Sequence, residues 1–250
     1  MIKNALNTFL ITLFLAVSIA AQENAPRAVN FNNQGAAELK LENYAAAIEF
    51  FNRAIDLEPN YATAFYNLGT AYARLARFEP AIDAFEKAIR LYPAYAEAHN
   101  QLGVAYLESG ENEKAVQALK QAVRLKSTDA VAFYNLGCAF IRRKKIGEAI
   151  DALEKAKQLD ENKSEIRLNL GYAYGQQKRY AQAIAEIEKA VEIDQTDEQA
   201  QMLLCNFHMA AKDREAALAQ YAKLKKRNPT LARKLLGEIF KDKIISISDL

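Results

Sequence analysis

The chain has 250 residues, of which 51% are hydrophobic and 26% charged, and its formal net charge is +2. That balance fits a folded protein and excludes the overall basic footprint of a nucleic-acid binder. With 9 glycines and 5 prolines against abundant Ala, Leu, Glu, Lys and Gln, the composition favours helix throughout.

Residues 1–21 read as a secretory signal peptide. Lys3 lies near the start, an apolar core runs from Phe9 to Ala20, and Ser18 and Ala20 precede Ala21 as a small-residue cleavage signal. Cleavage would leave the mature chain periplasmic or secreted. The alternative is a membrane anchor through residues 5–21, for which the apolar core is short and is diluted by Thr12 and Ser18. No Cys follows the apolar core, so no bacterial lipid-attachment site is read. Residues 22–27 are read as a linker.

From residue 28 the chain repeats. The hexapeptide AFYNLG stands at Ala64–Gly69 and again at Ala132–Gly137, an offset of 68, which is twice 34. A step of 34 connects Gly35, Gly69, Gly103, Gly137 and Gly171, and then reaches Cys205. The same step connects Ala47, Ala81, Ala115, Ala149, Ala183 and Ala217. Another column holds Ala54, Ala88, Ala122, Ala156 and Ala190, then Leu224. A large residue stands three before each of these: Phe51, Phe85, Leu119, Leu153, Ile187 and Tyr221. Pro59, Pro93 and Pro229 share a column near the unit ends. The units are 28–61, 62–95, 96–129, 130–163, 164–197 and 198–231. Each is long enough for two helices. Gly and Ala mark where paired helices approach, bulky residues fill the space between, and Pro stops a second helix. In AIDAFEKAIRL, Ala81, Ile82, Phe85, Ala88 and Ile89 make one apolar stripe. After the last unit, Leu235, Leu236, Ile239 and Phe240 predict a C-terminal capping helix over 232–243, followed by a tail at 244–250.

This pattern resembles the tetratricopeptide repeat family, which the second unit matches through Phe65, Leu68, Gly69, Tyr72, Ala81, Phe85, Ala88 and Pro93. The resemblance implies an all-α fold: a right-handed α-solenoid, or superhelix, of antiparallel helix pairs. First helices would line a concave groove and second helices the outer face. The end units depart from the pattern, with Gln34 and Glu38 in the first and Cys205 and His208 in the last.

Two residues before the glycine column stand Asn33, Asn67, Gln101, Asn135 and Asn169, then Leu203. Core packing does not ask for an amide, and Asn is a poor helix former. In the family's geometry this position faces the groove. There an amide can pair with a peptide C=O and N–H at once, as in the similar amide ladder of the O-GlcNAc transferase repeat domain. The alternative is that the amides cap or bridge neighbouring helices. Tyr66, Tyr134 and Tyr172, with Arg74 and Arg142, are the candidate selectivity residues beside the ladder. Capture of a C-terminal carboxylate, as in some co-chaperones of the family, is not expected. The column four before the amides reads Val29, Thr63, Glu97, Val131, Glu165 and Gln199, without a cation.

No catalytic, metal or cofactor site is read. His99 and His208 fall in packing columns, and the glycines belong to the repeat. Cys138 and Cys205 are expected as free, mostly buried thiols. The expected function is a non-catalytic, exported scaffold for protein–protein interaction, holding an extended peptide or protein segment in its groove. The alternative is a membrane-associated assembly factor, similar in size and repeat number to the type IV pilus pilotins. It would touch anionic lipid through Lys223, Lys225, Lys226, Arg227, Arg233, Lys234, Lys241 and Lys243.

Overall fold

The computed structural model describes residues 24–230 and 232–233, and among these the regular structure is entirely helical. The chain divides into two compact units, one ending at Lys126 and one beginning at Ser127. The first holds α1 (24–40), α2 (Tyr44–Leu57), α3 (Ala62–Arg74), α4 (Phe78–Leu91), α5 (Ala96–Glu108) and α6 (Asn112–Leu125). The second holds α7 (Ala130–Arg142), α8 (Ile146–Leu159), α9 (Ser164–Gln176), α10 (Tyr180–Ile193), α11 (Glu198–Ala210) and α12 (Arg214–Arg227). Pro229, Thr230, Ala232 and Arg233 are helical beyond α12. Residues 24–27, expected as linker, instead belong to α1. Pro26 is compatible with this because a proline in a first turn removes an N–H that has no intrahelical partner there.

Each first helix lies antiparallel to the second helix of its pair, and the glycine column is where they touch. A Cβ on Gly69 would sit 2.8 Å from the Phe85 ring; on Gly103, 2.4 Å from Leu119; on Gly171, 2.4 Å from Ile187. The residues opposite are the bulky column, and Phe51, Phe85, Leu119, Leu153 and Ile187 are all fully buried. Each contributes roughly 1.5–3 kcal/mol by leaving water. In the last pair the roles are exchanged. Leu224 fills the core where the other units have Ala, and Tyr221 is only half-buried.

The turn inside each pair has one construction. The second residue after the first helix takes a left-handed conformation: Glu42, Ala76, Gly110, Lys144, Lys178 and Lys212 have φ of 61, 54, 85, 57, 59 and 66°. The next N–H reaches back five residues, as from Arg77 to Tyr72 O at 3.0 Å and from Lys145 to Phe140 O at 2.9 Å. This satisfies carbonyls that a helix end leaves unpaired. Non-glycine residues in this conformation cost about 1–2 kcal/mol each, and only Gly110 avoids that cost.

In the second unit, Ala232 is fully buried beside Met202, Cys205, Ala217 and Leu224. The leader at 1–21, the rest of the capping helix with Leu235, Leu236, Ile239 and Phe240, and the tail at 244–250 lie outside the described residues.

Candidate functional site

The ladder residues lie on first helices. Asn67 precedes Gly69 by two positions, about 200° around the helix. Gly69 faces Phe85 of α4, so the amide is turned away from its own second helix. The neighbour it meets is the first helix of the preceding pair.

In the first unit, Asn67 Nδ2 donates to Asn32 Oδ1 at 2.9 Å, and Gln101 lies beside the Tyr66 phenol. In the second unit, Asn169 Nδ2 donates to the Tyr134 hydroxyl at 3.2 Å and to the Glu165 carbonyl at 3.0 Å. Each amide therefore reaches the residue 35 positions earlier. Asn135 is half-buried and engaged, and Asn33 is exposed. Bridging between helices, the alternative weighed for this column, is what the geometry brings about for Asn67 and Asn169. Double pairing with a ligand is ruled out at Asn169, whose amide N–H groups already serve Tyr134 and Glu165. Among the described residues, the carbonyl oxygens of Asn67 and Asn169 keep their acceptor capacity. The bridges fix where those oxygens point.

The other candidates divide. Tyr66 lies beside Gln101, and burial pushes its phenol above its ordinary range. Tyr134 joins Asn169, and burial, with Cys138 beside it, raises its phenol as well. Tyr172 is half-buried and is not joined to the bridges. Arg74 and Arg142 are exposed in the last turns of α3 and α7, and Arg142 lies near the Cys138 thiol.

The bridge acceptors were not evident from the sequence. Asn32 and Asn100 are buried polar residues at 5 and 8% exposure. They occupy the same 34-step column as Tyr66 and Tyr134, and that column was the available signal. Also missed was a tyrosine cluster in the first unit. The Tyr66 and Tyr95 rings lie 5.0 Å apart and Tyr92 and Tyr95 5.7 Å apart, with Tyr61 adjoining Tyr95. Thr63 adjoins the Tyr95 hydroxyl, and burial pushes that phenol up to about 12.

These tyrosines displace stabilising residues. The N-cap column reads Tyr61, Tyr95, Asp129, Lys163 and Asp197. Asp129 accepts from the backbone N–H groups of Val131 and Ala132, and Asp197 from Ala200. Tyr61 and Tyr95 make no such cap, which forgoes about 1 kcal/mol at each helix. In the Tyr92 column, Asp160 and Asp194 accept from Asn162 N at 3.2 Å and Thr196 N at 2.8 Å, a bond a tyrosine cannot supply.

Elsewhere the chemistry is structural. Cys205 donates to the Ala217 carbonyl, and burial pushes its thiol up to about 12. Burial also raises Cys138. Both are free thiols, and neither has the lowered pKa of a nucleophile. His99 Nε2 meets the Pro93 carbonyl at 3.0 Å, and His208 Nδ1 lies 3.7 Å from Asp213. Among the described residues no group of His, Cys, Asp or Glu is placed to hold a metal ion. A half-buried network joins α8, α9 and α10: Lys157 meets Glu154 and Glu186 at 2.8 Å, and Arg167 meets Glu186 at 2.9 Å. On the second-helix side, a groove of about 530 Å³ runs over α5, floored by Leu102 and Ala118 and edged by Arg90 and Lys114.

The family model described as the cilia and flagella-associated protein 70 C-terminal domain matches residues 12–234. No curated protein matches the chain. Among solved structures, PilF of Pseudomonas aeruginosa is similar over 86% of this chain and 99% of its own, with a TM-score of 0.74 and 20% identity. MamA of Desulfovibrio magneticus RS-1 covers 68% of this chain and 97% of its own, with a TM-score of 0.63 and 23% identity. YrrB, described as a TPR protein with an unusual peptide-binding site, covers 73% and 94%, with a TM-score of 0.62 and 23% identity. The helix pairs, the small-residue contacts between them and the family match agree: the chain belongs to the tetratricopeptide repeat family, in the branch described by the cilia and flagella-associated protein 70 C-terminal domain.

Proposed function

We propose that this chain is an exported, non-catalytic scaffold that binds an extended segment of a protein partner along its first helices. One observation carries the reading: amide carbonyl oxygens at the same repeat position of α3 and α9, each held in a fixed direction by a bridge to the preceding first helix. An extended segment leaves its backbone N–H groups unpaired and advances about 3.3 Å per residue, while packed helices lie roughly 8–10 Å apart. Successive positions of the column therefore suit N–H groups a few residues apart. Because the scaffold is ordered beforehand, the ligand alone bears most of the ordering entropy. Peptide binding in YrrB is consistent with this use of the fold. Export rests on the order of charge, apolar core and small residues in 1–21.

The test is selection from a random-peptide display library on the intact protein and on two paired variants. Asn32→Ala with Asn67→Ala removes both members of one bridge, and Tyr134→Phe with Asn169→Ala removes the other. Removing both partners avoids the orphaned buried group a single change would leave. Peptides that bind the native chain and lose affinity for folded paired variants support the reading. Equal affinity for all three proteins contradicts it.

The membrane-associated alternative rests on exposed Lys223, Lys225, Lys226 and Arg227. Cations in the last turn of α12 complement its dipole, and Arg227 is engaged with Gln195. Salt-sensitive binding to anionic vesicles would favour that alternative.

A further inference from the structure

The first unit carries tyrosines at positions where other repeats place helix-capping or loop-bonding residues. Tyr61 and Tyr95 stand at N-caps without capping. Tyr92 stands where Asp160 and Asp194 tie down the loop in other repeats. Tyr92 is 53% exposed, so core packing does not explain it either. Tyr61 and Tyr95 are only half-buried, which leaves part of each ring open to solvent. The tyrosines converge, with the Tyr66 and Tyr95 rings 5.0 Å apart and Tyr92 and Tyr95 5.7 Å apart, beside the ladder residue Gln101.

We propose that Tyr61, Tyr66, Tyr92 and Tyr95 form a platform that binds a proline-containing extended segment. This rests on the peptide-scaffold reading above and names the chemistry of the partner. Charge favours such a ligand over an ionic one. Glu97, the carboxylate beside Tyr66 and Tyr95, pairs with Lys126 at 3.0 Å, so its charge is balanced and Lys126 is already engaged. Proline rings lie flat on aromatic faces. A polyproline II segment has no internal hydrogen bonds, so its carbonyls remain open to phenol hydroxyls. The segment is also stiff before it binds, which lowers the ordering entropy of association.

The experiment titrates the full chain with a fluorescently labelled decaproline peptide and with a Gly-Ser peptide of equal length, read by anisotropy. The variant is Tyr92→Asn with Tyr95→Asn. Asn caps as well as Asp, is neutral, and enters backbone conformations already held by Asp in other repeats. For the first position these are φ −135°, ψ 88° at Tyr92 and −145°, 96° at Asp160. For the second they are −78°, 83° at Tyr95 and −92°, 99° at Asp129. The regained caps offset the packing lost with the half-buried Tyr95 ring, and a melt followed by circular dichroism separates a loss of binding from a loss of fold. The expected result is saturable decaproline binding, absent for Gly-Ser, weakened at least about tenfold in the variant. Decaproline binding no tighter than Gly-Ser, or equal binding by the variant, overturns the proposal. Display-selected peptides separate the two readings. Binders that lack proline and ignore the tyrosine variant leave the scaffold reading standing and sink the platform. No binders from the library, with no decaproline binding, sink both.

Discussion

Gly171→Ala and Gly147→Ala should change stability in opposite directions. Both replace a helical glycine of the second unit by the best helix former, which by itself stabilises by about 1 kcal/mol. Gly147 has no atom within 4 Å of the added Cβ, so that gain should appear nearly whole. At Gly171 the Cβ would lie 2.4 Å from Ile187 Cγ1 and 3.0 Å from the Ala183 carbonyl oxygen. Neither neighbour gives way cheaply. Cγ1 sits on a β-branched side chain that is stiff at χ1, and the oxygen is backbone of α10. Overpacking costs about 1–3 kcal/mol, and two rigid neighbours put this site in the upper half of that range. The net expectation is a loss of about 1–2 kcal/mol, against a gain of about 0.5–1 kcal/mol for Gly147→Ala. Urea titration followed by circular dichroism measures both in the same unit, and the m-value reports whether one transition is being compared. A Gly171→Ala protein as stable as the native chain would refute the close-approach account of the glycine column.

The left-handed turn gives a second pair: Ala76→Gly should stabilise by up to about 1 kcal/mol, and Gly110→Ala should destabilise by a similar amount, both read by urea midpoint. Glu186→Ala leaves Lys157 and Arg167 without their shared half-buried partner and should cost about 1–3 kcal/mol by the same titration. Glu192→Ala, which breaks an exposed pair with Lys189, should change stability by less than about 0.5 kcal/mol. The Cys205 thiol, raised by burial from 9.0 to about 12, binds its proton more tightly in the folded chain. Its contribution to stability is complete below pH 9 and is lost as pH rises from there toward 12. Native protein at pH 8 should accordingly react with a thiol reagent at Cys205 only on unfolding, by mass-spectrometric labelling. Rapid labelling at pH 8 would show the site to be open.

The helix pairing was legible because packing repeats at a fixed interval. Gly69 and Phe85 stand in contact because one column needs no side chain and the other needs a large one. The ladder was legible as a column but not in its contacts. The partner of Asn67 is Asn32, one position short of the ladder register in the preceding unit. That offset comes from how neighbouring first helices stagger, which periodicity alone does not carry. The tyrosine cluster was hidden for a related reason. Tyr61 and Tyr95, Tyr66, and Tyr92 belong to three different columns, brought together only by the turn that joins α4 to α5. Residues 24–27 lie before the first repeat and are nevertheless helical, and Pro26 is compatible with a first turn.

The central claim is that fixed amide oxygens on the first helices receive the partner's backbone. Titration of isotope-labelled full-length chain with a display-selected peptide, followed through the side-chain amide resonances of asparagine and glutamine, tests it directly. The account predicts saturable shifts of Asn67, Gln101 and Asn169, with the bridges to Asn32 and Tyr134 retained. Saturable binding that leaves those amides unmoved, and shifts instead Gln117 and Gln121 beside the groove over α5, would contradict it.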